Sequence, residues 1–267
     1  MSEYALALSL FSYKKLVFDL VDDLAAFGRK NKKKCDFIKQ SVEFLAVQSD
    51  LMIVSASALF EEFGKYSSNV ILVPNGFDDR LFSNIHMPIP EELSGIPEPY
   101  FGFIGTIFSF LDFDLLEYIF KNNPEKSFVF VGLCEADVKK RWHFILNNFP
   151  NVFWLGPKPK ESIPAFINQF SVCLNPFKVD EVSKGANPLK VFEYLALKKP
   201  VISVTMESLE KEKISPLIYF ARNYQEFNQL LGKALVEDQT GRDYSLVKEY
   251  SWDRLFEKVS TSVERLL

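Results

Sequence analysis

The chain has 267 residues, 48% of them hydrophobic and 25% charged, a balance that excludes intrinsic disorder, collagen-like repeats and long coiled coils. Its net charge of −4 offers no overall positive field for a phosphate backbone, so nucleic acid is not an expected partner. Cys35, Cys134 and Cys173 show no paired spacing, which argues against a disulfide framework or zinc site and points to the reducing cytosol.

Short apolar runs ending in Gly, Asn or Pro alternate with amphipathic stretches, the pattern of strand–helix units around parallel sheets, so the fold class is α/β. The first predicted strands are Lys15–Val21, Leu51–Ser55 and Val70–Val73, with helical stretches over Asp36–Gln48 and Ala56–Tyr66. From Phe82 to Pro99 the pattern fails and Pro88, Pro90, Pro97 and Pro99 accumulate, marking a linker, because proline continues neither a helix nor a ladder. Six further strands follow: Tyr100–Ile104, Ser127–Val131, Val152–Leu155, Val172–Asn175, Val201–Val204 and Ile218–Ala221. The predicted organisation is a first domain over 1–83, a linker over 84–99, a second domain over 100–244 and a helical arm over 245–267. A doubly wound domain carries about six strands. The second domain has its full set and the first only three, so the first is expected to be incomplete and the chain to lack its beginning.

The richest segment is Ser183–Pro200, SKGANPLKVFEYLALKKP. Asn187 then Pro188 read as N-cap and first helical residue, since Asn accepts a free backbone N–H and Pro has none to leave unpaired. The first turn of such a helix presents free N–H groups and the positive end of a dipole to an anion such as a diphosphate. Lys190 is the wrong charge for a helix start unless an anion sits there, or unless it is a solvated surface lysine. Glu193 stands among Val191, Phe192, Tyr194, Leu195, Ala196 and Leu197. A lone carboxylate in an apolar helix needs a partner, and two vicinal ribose hydroxyls would serve. The competing reading is an exposed pair of Glu193 with Lys190 at i,i+3. The helix alone does not choose between them.

NPLKVFEYLALKKPVIS resembles the donor-nucleotide signature of retaining glycosyltransferases of the GT-B fold, family 4 type, known as group 1. LVFDLVDDLAAF, SDLMIVSASALFEE, VPNGFDDRLF, FGFIGTIFSFLDFDLL and VFWLGPKPKESIPAFINQFSVCLNP resemble, in order, further blocks of members that build bacterial cell-surface polysaccharides. The resemblance implies two Rossmann-like domains across a cleft, with the nucleotide sugar on the second and the acceptor on the first. It implies a UDP- or GDP-linked donor, a glycan or lipid-linked acceptor, no cofactor, no metal, and a cytoplasmic protein. Carried over by position, Glu193 matches the ribose-associated glutamate that ends the family's E-x7-E motif. Pro188, Leu189 and Lys190 match the turn facing the diphosphate, Gly105 and Thr106 the turn near the reacting centre, and Gly156 and Pro157 the base-holding loop.

Three departures follow. Gly185 occupies the place of the motif's first glutamate, so the usual contact to the transferred sugar is absent or supplied by another group. The loop after Gly105 lacks Arg and Lys, which leaves Lys190 and backbone amides to neutralise the diphosphate. Val21 falls where the family often carries a cleft-facing His, leaving Asp22 or Asp23 as the carboxylate toward the cleft. Asp112-Phe113-Asp114 matches the D-x-D metal pattern of another fold, but helix capping is favoured on local grounds. His86 and His143 show no ligand spacing. Arg29, Lys30, Lys32, Lys33 and Lys34 form a basic run that is either solvated or a contact to anionic membrane at the inner face.

The expected activity is transfer of a sugar from a nucleoside diphosphate, with Lys190 and Asp22 as candidate catalytic groups. The alternative is a non-catalytic nucleotide-sugar-binding remnant, or a subunit whose partner chain completes the acceptor domain.

Overall fold

A computed structural model describes residues 8–24, 31–83, 87–180 and 185–267. It contains a three-stranded and a six-stranded sheet, parallel throughout. In the first unit β1 (Val17–Leu20) leads to helix α1 (Lys32–Gln48), β2 (Leu51–Val54), α2 (Ser57–Phe63) and β3 (Val70–Leu72). The sheet order is β1-β2-β3. The helix α1 begins at the basic run because the Asn31 side chain accepts the Lys34 N–H at 3.2 Å, an N-cap. Lys32, Lys33 and Lys34 are exposed there, while Arg29 and Lys30 lie outside the described residues, as does His86. A small core gathers Leu20, Val42, Ala46, Met52, Val54, Leu59 and Phe63.

The second unit runs β4 (Tyr100–Ile104), α3 (Phe113–Asn122), β5 (Ser127–Val131), α4 (Lys139–Asn148), β6 (Val152–Trp154), α5 (Ile163–Gln169), β7 (Val172–Asn175), α6 (Leu189–Ala196), β8 (Val201–Val204), β9 (Ile218–Ala221), α7 (Tyr224–Val236) and α8 (Trp252–Glu264). Its sheet order is β6-β5-β4-β7-β8-β9. The strands β4, β5, β7 and β8 are buried along their whole length, which is why they read as unbroken apolar runs rather than alternating ones. The abundant phenylalanine is largely spent here. Phe101 lies beside Phe128 and Phe103 beside Phe130, each pair with ring centroids 5.6 Å apart.

Packing divides the chain earlier than the proline count suggests. Phe77, Phe82 and Leu93 already belong to the second core, so the crossing between units falls just after β3. The terminal arm crosses back at the same place. The Phe77 N–H donates to the Tyr250 carbonyl at 3.0 Å, and the Trp252 N–H donates to the Phe77 carbonyl at 2.9 Å. Beyond it, α8 reaches the first unit, where the Lys258 ammonium donates to the Leu72 carbonyl at 2.5 Å.

Candidate functional site

The order β6-β5-β4-β7-β8-β9 reverses direction between β4 and β7, and the carboxyl ends of strands at such a switch point form a crevice suited to a ligand. Two loops meet there. The loop after β4 lies against the residues after β7: the Asp112 N–H donates to the Pro176 carbonyl at 2.9 Å and the Lys178 N–H to the Phe110 carbonyl at 2.8 Å. This pairing brings Phe108, Phe110 and Phe177 onto one wall, with Phe108 and Phe177 edge to face at 5.9 Å.

Backbone geometry keeps the crevice open. Gly105 and Gly132 follow β4 and β5, and Gly156 lies just past β6. A Cβ on Gly132 would stand 2.0 Å from the Gly105 carbonyl oxygen, and Gly132 has φ +148°, a conformation that disfavours side chains. The Gly132 N–H in turn donates to the Gly156 carbonyl at 2.9 Å.

The helix α6 closes the crevice from the β7 side. Its start corrects the sequence reading: Pro188 (φ −71°, ψ 104°) is the N-cap and Leu189 the first helical residue, and Asn187 makes no capping bond. The Asn187 carbonyl instead accepts from the Asn75 side chain at 2.5 Å. Its own amide, 3% exposed, has no hydrogen-bond partner at either polar atom. One turn into the helix, the Tyr194 hydroxyl accepts the Ile104 N–H at 2.8 Å and fixes α6 against the end of β4.

Lys190 and Glu193 lie on this fixed turn. The Lys190 ammonium sits 4.3 Å from the Phe177 ring centroid and 5.2 Å from that of Phe103. Its aliphatic end packs beside Gly105, where a Cβ would be 3.1 Å from Cε. Burial lowers Lys190 to about 8 against an opposing pull from Glu193. Glu193 is 8% exposed, and burial raises its carboxyl to about 7, opposed by Lys160 and Lys190. The exposed i,i+3 pair is therefore not what forms. Among the described residues, neither the buried Glu193 carboxylate nor the half-buried Lys190 ammonium has a hydrogen-bond partner or an ion pair, and an uncompensated buried carboxylate is costly.

A cavity of about 240 Å³ lies at the start of α6, smaller than the roughly 300–1,000 Å³ of pockets for drug-sized ligands. The second unit contributes Gly185, Asn187, Pro188, Leu189 and Lys190 together with Lys178 and the three phenylalanines. Asp22, Asp23 and Asn75 come from the first unit. Burial, followed by the charge of Asp23, raises the Asp22 carboxyl above its ordinary range. The predicted residues Gly105, Thr106, Gly156, Pro157 and Glu193 are not in this lining; Gly105 borders it through Lys190. Gly185 is closed by the first unit, since a Cβ there would lie 2.9 Å from the Asp23 Cβ.

The D-x-D carboxylates are engaged in local structure. Asp112 accepts the Asp114 and Leu115 N–H groups and the Tyr224 hydroxyl, and Asp114 pairs with Arg141. Sequence reasoning did not single out Asn75, Phe108, Phe110, Phe177 or Gly132. The phenylalanines were hidden among 27 of their kind, and Asn75-Gly76 carried only an ordinary turn signal.

No family model matches the chain. Solved structures superpose on nearly all of it. A structure of Anabaena HepE with UDP and glucose covers 98% of this chain and 74% of its own, with TM-score 0.73 and 14% identity. Sucrose-phosphate synthase from Thermosynechococcus elongatus covers 98% and 70%, with TM-score 0.70 and 12% identity. Two parallel α/β units facing across a switch-point crevice, on these templates, decide the architecture. The chain has the GT-B fold. In sequence, this GT-B chain is 29% identical over 226 residues to TuaH of Bacillus subtilis (strain 168), whose name assigns it to teichuronic acid biosynthesis as a glycosyltransferase. The match takes in 81% of this chain and 56% of TuaH, so the chain spans little more than half the length of that relative. Among the described residues, no helix is long and apolar enough to cross a membrane.

Proposed function

We propose that the chain is a GT-B glycosyltransferase that takes a sugar from a UDP- or GDP-linked donor, without a resident cofactor, and passes it to a glycan or lipid-linked acceptor in cell-surface polysaccharide synthesis. The observation that carries the reading is the pair Lys190 and Glu193: a half-buried cation laid over aromatic rings and a buried carboxylate, one turn apart on α6, neither with a hydrogen-bond or ion-pair partner among the described residues. A diphosphate at the start of α6 supplies the anion for Lys190, and ribose hydroxyls supply donors for Glu193. The names of TuaH, HepE and sucrose-phosphate synthase point the same way.

In the transfer, the bond from the sugar's anomeric carbon to the diphosphate breaks and its electron pair leaves with the diphosphate. The acceptor hydroxyl oxygen bonds to that carbon and loses its proton, for which we assign Asp22 as the carboxylate in reach. Lys190 and the first N–H groups of α6 stabilise the charge on the leaving group. We propose that transfer retains the anomeric configuration and needs no divalent metal, a reading supported by the engagement of Asp112 and Asp114 elsewhere. Product stereochemistry by NMR tests the first point, and undiminished rate in EDTA the second.

Calorimetry with UDP and GDP is the primary test. One of them binds the wild-type chain, and Glu193→Ala weakens it more than tenfold; unchanged affinity overturns the ribose assignment. Release or transfer of radiolabelled sugar distinguishes the enzyme from a binding remnant. The exposed lysines at the start of α1 are proposed to favour anionic membrane, and equal pelleting with neutral and anionic liposomes would refute that. Sedimentation of an active monomer would refute the need for a partner chain.

A further inference from the structure

The turn ahead of α6 is held at two successive carbonyls by side chains from outside it. The Ser208 hydroxyl donates to the Ala186 carbonyl at 2.7 Å, and the Asn75 amide donates to the Asn187 carbonyl at 2.5 Å. Ser208 is buried and stands in the short helix Glu207–Glu210 that follows β8. Asn75 comes from much further off, on the passage that leaves β3, 112 residues before Asn187.

The two bonds are not equivalent. The peptide between Ala186 and Asn187 carries an N–H as well as a carbonyl, but the peptide between Asn187 and Pro188 has no N–H. Its carbonyl is the one hydrogen-bonding handle by which that plane can be fixed, and Asn75 holds it. Pro188 is the N-cap of α6 and is extended at ψ 104°, so the plane fixed by Asn75 sets the direction from which the helix starts. The free N–H groups of the first turn follow directly and point where that start sends them.

Asn75 is itself held in place. Beside it, Gly76 lies so close to the terminal arm that a Cβ would stand 2.3 Å from the Tyr250 carbonyl oxygen, and the Phe77 N–H donates to that same carbonyl at 3.0 Å. The Tyr250 ring in turn packs on Phe192 of α6, with centroids 5.0 Å apart. The passage that carries Asn75 is thus braced against the body of the helix whose start it sets, the kind of support that keeps a binding turn in one geometry. Asn75 and Lys190 line the same cavity.

We propose that Asn75 is a positioning residue for the donor diphosphate: through the Asn187 carbonyl it holds the turn that presents Lys190 and the first N–H groups of α6 to the phosphate next to the sugar. The inference rests on the nucleotide-sugar reading above and adds to it a residue supplied by the passage between the units.

The test is calorimetry of the full chain with the diphosphate and the monophosphate of one nucleoside. UDP and GDP are measured first on the wild type. If neither binds, the nucleotide-sugar reading fails and this inference with it. With the base that binds, Asn75→Ala removes the donor without adding bulk. It is expected to lower the preference for diphosphate over monophosphate at least fivefold, with the monophosphate bound within twofold of wild type. A merely structural loss weakens both nucleotides alike and leaves their ratio in place. Asn75→Leu, similar in outline to asparagine and equally without a donor, takes the place of the alanine variant if thermal unfolding shows that the latter is not folded. An unchanged ratio in a folded Asn75 variant, whether both affinities hold or both fall together, overturns the proposal even though the wild type binds the diphosphate.

Discussion

The Tyr194 hydroxyl accepts the backbone N–H of Ile104 at 2.8 Å inside the second core, tying the helix that carries Lys190 to the end of the central strand. Tyr194→Phe leaves that N–H buried without an acceptor, which costs about 1–3 kcal/mol. The expected result is a lower thermal midpoint together with weaker binding of the nucleoside diphosphate, because Lys190 stands one turn before Tyr194 on the same face. Thermal unfolding and calorimetry on the variant check both.

Lys190 is lowered to about 8 by burial, so it is partly neutral at pH 8. An anion bound against it restores the charged form, and binding then takes up protons. Calorimetry at pH 8 in buffers of different ionisation enthalpy should show uptake of about half a proton per diphosphate. Lys190→Met should abolish the uptake and weaken binding.

Glu193 titrates in the opposite sense. Its carboxyl is raised from 4.5 to about 7 by burial, so the folded state holds this proton more tightly than the unfolded chain does. Its contribution to stability is complete below pH 4.5 and is lost as pH rises through about 7. A shift from 4.5 to about 7 corresponds to a loss of about 3 kcal/mol. Denaturant unfolding at pH 5 and pH 8 should show a drop in the wild type that Glu193→Gln lacks.

Gly132 has no room for a methyl group, since a Cβ would stand 2.0 Å from the Gly105 carbonyl oxygen. Gly132→Ala must displace the loop after β4 and is expected to destabilise by several kcal/mol, on the order of the larger single-residue effects of about 4–5. Gly241→Ala, with nothing within 4 Å of the added methyl, is the control and should unfold with the wild type.

The nine strands were legible in the sequence because each is a short apolar run closed by a turn residue. Five of the nine described strands end at the predicted residue, Ile104, Val131, Asn175, Val204 or Ala221, where Gly, Pro or a polar residue follows, and the other four end one residue short of the prediction. The apolar neighbours of Glu193 on α6 left its buried and exposed readings both open, and packing of the helix decides for the buried one. The start of that helix was not legible. Asn-Pro ordinarily caps, but here the Asn75 side chain takes the Asn187 carbonyl and Pro188 stays extended, a long-range contact that no local pattern encodes. The aromatic wall was hidden for a similar reason. Phe108, Phe110 and Phe177 come together only when the loops after β4 and β7 pair, and nothing distinguishes them beforehand from phenylalanines of the core.

The two passages of the backbone between the units run side by side, joined by hydrogen bonds between Phe77 and both Tyr250 and Trp252. A single tether would let one unit rotate freely about it. Two bonded strands behave as a flat ribbon, which bends across its width and resists torsion.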